Sequence, residues 1–186
     1  MNLLYKKITL AGAVLAFTAA SFFILANGRP GDFFVDDTLY HKEIASAAAK
    51  HNIPAQLVRA VVFQESRFNP NARGRKGDYG LMQILPSGAV ADWSKFHKLP
   101  PPAPDRLLDP ELNLEIGCWY LSRALHRWQE YSDNIELALA QYNAGGTRAN
   151  RWKPETKDGK VLPRITLPST KKYVSQITKR YRNYLK

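Results

Sequence analysis

Between Pro54 and Arg67 the apolar residues fall at helical spacing, and a carboxylate holds one place on that stripe. Leu57, Val58, Val61 and Val62 form one face. Glu65 lies three residues beyond Val62 and four beyond Val61, and Phe68 follows three further on. An apolar stripe of this kind must be covered by other elements, so the chain has to pack helices around this one. Burying a charge there is costly, and a carboxyl group responds by raising its pKa. A raised carboxyl pKa is what a general acid needs near neutral pH. The competing reading is a helix-terminal Glu that reaches solvent or pairs with Arg59 or Arg67.

The same periodicity runs through most of the chain. Tyr40, Ile44, Ala47, Ala48 and His51 predict a helix opened by Asp36, Asp37 or Thr38 and broken at Asn52-Ile53-Pro54. Pro54 suits the first turn of the next helix. Residues 69–80 are rich in Gly, Asn and Pro and read as a loop or small hairpin. A short helix begins near Pro86-Ser87, with Ala89, Val90 and Trp93 inward, and Pro100 to Pro104 read as an extended loop. Asp109-Pro110 opens a long helix to about Tyr131, apolar over a wide arc and therefore central. Asn134 caps another helix, which Gly145-Gly146 ends. Residues 147–168 are polar and basic, a surface loop. A last helix spans about Ser169 to Leu185, with Tyr173, Val174, Ile177 and Tyr181 on one side. No strand run is convincing, so the fold is mainly α, with one small loop or hairpin insertion.

The first 28 residues differ from the rest. Lys6 and Lys7 precede an uncharged run from Ile8 to Ala26, long enough to span a membrane. The flanking lysines predict the N-terminus inside and the bulk outside. An uncleaved anchor is the preferred reading, and a signal peptide cleaved near Ala19, Ala20 and Ser21 is the alternative. No cysteine follows the run, so a lipid-modified cysteine anchor is not expected. Residues 29–37 read as a linker and residues 38–186 as one domain. The expected address is the cell envelope, with the domain in the periplasm and held at the inner membrane.

Composition narrows the chemistry. The formal net charge of +11 favours polyanionic partners: nucleic acid, an anionic membrane face or an acidic polymer. No zinc-finger spacing, RNA-recognition motif or Gly-rich phosphate loop accompanies the charge, so no nucleic-acid partner is expected. His41, His51, His97 and His126 lie far apart, so no metal site and no cofactor are expected. No G-x-S-x-G elbow occurs. The one cysteine, Cys118, lies in the apolar run Ile116 to Leu121 and reads as packing, with a reactive thiol as the alternative. Without disulfides, stability must come from the core.

What remains is a set of blocks in order: Glu65-Ser66; Phe68-Asn69-Pro70-Asn71-Ala72; Gly80-Leu81-Met82-Gln83; Asp109-Pro110 with Asn113, Gly117 and Tyr120-Leu121; Gln141-Tyr142-Asn143-Ala144-Gly145; and Thr170 with Tyr173-Val174. Together they resemble the catalytic domain of the Slt-type, goose-lysozyme-like lytic transglycosylases, over roughly residues 40–185. The resemblance implies a lysozyme-like fold acting on peptidoglycan strands as a monomer. It makes Glu65 the sole acid/base, with Tyr142 beside it. It also implies a glycan groove lined from Ser66, Tyr79, Gly80, Met82, Gln83, Asn143 and Tyr173. Tyr142 orienting Glu65 competes with Tyr142 packing on the core. Met82 lining the groove competes with Met82 as core. Tyr79 and Tyr173 either stack on sugars or are structural.

Three positions depart from the family pattern: Ser169 replaces a Glu, Gly74 stands where a groove Ser is frequent, and Asp78 where a small residue is frequent. The resemblance implies cleavage between MurNAc and GlcNAc, with 1,6-anhydroMurNAc formed and no water consumed. Three alternatives stay open. One is a hydrolytic muramidase that uses Asp78 as a second carboxylate. Another is a wall-binding module without turnover. The third is a nucleic-acid binder, which rests on charge alone.

Overall fold

The computed structural model describes residues 35–186. The expected hydrophobic helix of residues 1–28 and most of the expected linker lie outside these residues. Among those described, no helix is long and apolar enough to cross a membrane. Residues 37–186 form one compact unit, and Asp37 is tied into it. Asp37 accepts from the Tyr184 hydroxyl at 2.9 Å and pairs with Arg59 at 2.8 Å, and Arg59 also stacks on the Tyr184 ring.

Among the described residues seven α-helices form: α1 His41–Lys50, α2 Ala55–Ser66, α3 Ala91–His97, α4 Pro110–Arg127, α5 Asn134–Ala144, α6 Gly146–Trp152 and α7 Pro168–Tyr184. A wide turn at Pro86–Val90 leads into α3, and single 3-10 turns precede α4 and α7. Among the described residues no strand forms. Isolated bridges pair Arg73 with Tyr79 and Tyr79 with Ile84. The expected hairpin is therefore a looped insertion held by two local pairings.

Helix α4 is central. It packs against α1, α3 and α5 and buries Leu114, Ile116, Cys118, Trp119, Leu121 and Ala124. Asp109 caps it by accepting from Leu112 N at 3.0 Å. It ends at Arg127, a turn short of the expectation. A sixth helix lies where a loop was expected. Gly146 starts α6 directly after α5, and Ala149 and Trp152 of α6 are buried. Basic residues on its exposed side mask the apolar pair in the sequence. Helix α2 buries Leu57, Val58, Ala60, Val61, Val62 and Phe63, mainly against α7 and α1. Each large apolar side chain so covered contributes about 2 kcal/mol.

Two successive left-handed residues, Arg67 (φ 51°) and Phe68 (φ 62°), reverse the chain after α2. Non-glycine residues there cost roughly 1 kcal/mol or more each. Burial of the Phe68 ring, 6.3 Å from Phe63, offsets that cost. The returning loop is fastened to α4 by Asn113, which is wholly buried. Its Oδ1 accepts from Met82 N at 2.8 Å, and its Nδ2 donates to Tyr79 O at 2.8 Å and Leu107 O at 2.7 Å. Gly80 sits over this carboxamide at φ +73°, where a Cβ would overlap Asn113 Nδ2 and approach Leu107 O to 2.6 Å.

Asn113→Ala should therefore lower the unfolding free energy by about 3 kcal/mol or more, since it strands one buried N–H and two carbonyls. Gly80→Ala should lower it by a similar order, through both φ and overlap. Urea denaturation of the two variants against wild type measures both losses.

Candidate active site

Glu65 stands in the last turn of α2 and is partly buried. The Tyr173 hydroxyl, from α7, donates to Glu65 Oε1 at 2.5 Å. The Glu65 carboxyl is pushed up to about 7. Burial is the largest cause; the Tyr173 hydrogen bond opposes it, and the nearby negative charge of Asp78 adds to it. The helix C-terminus works in the same sense, because its partial charge is negative. Tyr173 and Tyr142 are both driven well above the ordinary phenol range, by burial first and then by the Glu65 charge. Both stay neutral donors.

The geometry divides the roles that the sequence left open. Tyr142 stood between orienting Glu65 and packing on the core, and Tyr173 between sugar stacking and a structural role. In the structure Tyr173 holds Glu65, and its ring is buried. The Tyr142 hydroxyl instead donates to Met82 O at 2.9 Å. The reason is reach. Helix α7 crosses α2 directly, whereas α5 meets the loop.

Several expected groove residues form a backing behind Glu65. Ser66 Oγ donates to Leu81 O at 2.8 Å. The Met82 side chain is fully buried rather than groove-lining, because Gly117 of α4 leaves it room. Gln83, at φ 45°, ties its own loop by donating from Nε2 to Ala72 O and Gly80 O at 3.1 and 3.0 Å. Gly80 is buried and Tyr79 half-buried, with Arg73 over the Tyr79 ring. Asn143 is exposed, and its Oδ1 accepts from Thr170 at 2.8 Å, joining α5 to α7.

The hairpin carries the remaining charge. Gly74 N donates to Asp78 O at 2.8 Å, and a Cβ at position 74 would overlap the Asp78 carboxylate. Gly74 and Asp78 thus go together: the carboxylate fills the place a side chain at 74 would take. Sequence reasoning quoted Asn113 without a role. Its signal was the same as that of Glu65, a polar residue amid apolar helical positions. The Cys118 thiol is buried and pushed upward by burial, as packing requires. Among the described residues no cluster of metal-binding side chains occurs.

A partly buried, high-pKa Glu at the end of α2, held by a tyrosine in a helical body, is the arrangement expected of a lysozyme-like domain. The Transglycosylase SLT domain family matches residues 42–162, and the chain belongs to that family. It is 37% identical over 100 residues to the soluble lytic murein transglycosylase of Escherichia coli, covering 54% of this chain and 15% of that protein. It is 38% identical over 80 residues to the membrane-bound lytic murein transglycosylase E of Buchnera aphidicola, covering 42% of this chain and 36% of that protein. The chain therefore spans a minor part of the length of these relatives. In structure it resembles an inactive mutant of the lytic transglycosylase Slt of Pseudomonas aeruginosa. The TM-score is 0.71 at 25% identity, over 91% of this chain and 28% of that one.

The Glu65 carboxyl gives a stability signature. Between pH 4.5, the ordinary value, and about 7 the folded chain holds a proton that the unfolded chain has released. Stability is therefore lost as pH rises through this window. Glu65→Gln removes the effect. The variant should match wild type below pH 4.5 and exceed it by about 3 kcal/mol above pH 7. Denaturant midpoints across pH measure the difference.

Proposed function

We propose that this domain is a peptidoglycan lytic transglycosylase that cleaves the β-1,4 bond between MurNAc and GlcNAc. The observation that carries the reading is the single carboxyl raised to about 7 and held by Tyr173. Such a group is half protonated near neutrality, so it can serve first as acid and then as base. Protonated Glu65 donates to the glycosidic oxygen. The MurNAc N-acetyl group assists departure, as in substrate-assisted glycoside chemistry. Deprotonated Glu65 then takes the proton of the same sugar's 6-hydroxyl, which attacks C1. The product is a 1,6-anhydroMurNAc end, and no water is consumed. The similarity to proteins named lytic murein transglycosylases supports this outcome.

Asp78 decides between this route and hydrolysis. Its carboxylate is turned back over Gly74 of its own hairpin, which favours a role as a fixed negative charge over one as a base for water. Tyr79 and Gln83 lie on the loop that faces the strand, and Ser66, Gly80, Met82 and Tyr142 set that loop's shape. Anchoring at the inner membrane through the N-terminal segment, and the periplasmic address, belong to the same proposal. The membrane-bound relative supports them.

Mass analysis of muropeptides from purified peptidoglycan tests the chemistry. Anhydro ends, lighter by one water, are expected; reducing ends would overturn the non-hydrolytic route. Glu65→Gln should lose at least about 100-fold in turnover.

The pH profile tests the Tyr173 contact. The acid form of Glu65 is needed at the first step, so kcat/KM should fall as pH rises through about 7. The Tyr173 bond lowers the Glu65 pKa. Tyr173→Phe should therefore move that basic limb to higher pH while reducing kcat, whereas Tyr142→Phe should leave the limb nearer its place.

A further inference from the structure

A trough beside the site gathers several cationic side chains. It lies along α4 and is lined by Phe96, Trp119, Tyr120, Arg123, His126 and Arg127. It continues past Gly146 to Arg151. Its main part encloses about 960 Å³, near the top of the size range of ligand clefts. Trp119, Arg123 and Arg127 recur every fourth residue, so they form one ridge of the helix.

The guanidinium groups are held in place. Arg123 stacks on both Phe96 and Trp119 at 5.2 Å, and Arg127 on Trp128 at 4.8 Å. Stacking fixes the plane of a guanidinium and leaves its N–H edge for a carboxylate. Gly146 has no side chain to cover Arg127, whose Nη1 lies 3.1 Å from where a Cβ would be. Gln141 completes the wall, fixed by the Trp128 indole donating to its Oε1 at 2.9 Å. Lys95 also lines the trough and Asp92 is its one carboxylate. Among the described residues none of Lys95, Arg123, Arg127 and Arg151 is paired with a carboxylate.

The trough adjoins the centre of the site. Tyr120 lines it and packs edge-on against Tyr142, ring centroids 5.6 Å apart. That contact places the trough one side chain away from the Tyr142 that faces the site. We propose that the trough receives the carboxylate-bearing peptide stem of the glycan strand, with Arg123 and Arg127 as its specificity-determining residues. This rests on the wall-polymer reading above. Stem carboxylates match the guanidinium forks, and the alkyl parts of the stem match Phe96 and Trp119. Strands stripped of stems keep only the lactyl carboxylate on the sugar and lack the stem's own carboxylates and alkyl parts.

Two measurements on the full chain test this. In the first, purified peptidoglycan is compared with the same strands stripped of stems by an amidase. Arg123→Gln/Arg127→Gln should raise KM for stemmed strands about tenfold, with kcat within about twofold, and should leave stripped strands unchanged. Equal loss on both substrates would make the trough a sugar site and overturn the proposal, as would no loss on either. The second needs no change in the trough. Solubilised stemmed strands, native or with their carboxylates amidated, are titrated calorimetrically onto Glu65→Gln. Amidation should weaken binding about tenfold; equal binding, or none of either form, overturns the proposal. Because this reads binding, it separates failure of the trough from failure of the transglycosylase reading, which shows instead as wild-type strands left uncut.

Discussion

The buried carboxamide of Asn113 is the contact on which the site depends. It closes two backbone hydrogen bonds to a loop that has no strand ladder of its own, and a third to Leu107 O in the turn before α4. A loop returning through the interior leaves polar groups that must be paired or the fold opens. Ser66 from α2 and Tyr142 from α5 add one bond each to neighbouring carbonyls. Three helices thus grip residues 79–82, and the same grip keeps the far side of the site at a fixed distance from Glu65. Residues that carry the family pattern are in this sense structural first, since their polar atoms already have partners within the protein.

Glu65 is balanced between two opposed demands. Burial and the neighbouring negative charge keep it protonated, while the Tyr173 hydroxyl favours the ionised form. Burial wins, leaving the carboxyl near 7, with the tyrosine pulling against it. In the proposed mechanism one carboxyl both gives and takes a proton, and such a group needs a value near the working pH. The cost is borne by the fold, because the α2 stripe would be more stable with a neutral residue at that place.

Charge elsewhere on the domain is arranged rather than merely abundant. Many surface cations are paired: Arg59 with Asp37, Lys50 with Glu115, Arg73 with Asp105, Lys157 with Glu130. Arg123 and Arg127 along the trough lie over aromatic rings without a carboxylate partner. A net charge of +11 says only that polyanions are attracted; the proposal for the trough rests on where two unpaired, stacked arginines fall together.

Much of this was legible in the sequence, and the limits follow from chemistry. Helical spacing placed α2, α4 and α7, because an apolar stripe records which face is buried. It exposed Glu65 as an anomaly on that stripe, and the ordered blocks named the fold. It did not show α6, whose short apolar pair is surrounded by exposed basic residues. Nor could it assign hydroxyls: Tyr142 and Tyr173 both reach the region of Glu65, and only the crossing of α7 over α2 decides which one bonds to it. The same holds for Met82, sent inward by the space at Gly117, and for Asp78, folded onto Gly74. Periodicity and residue type determined the helices, the single unusual carboxylate and the family. Partners, pKa and the trough were decided only by tertiary structure, because each depends on distances between atoms far apart in the chain.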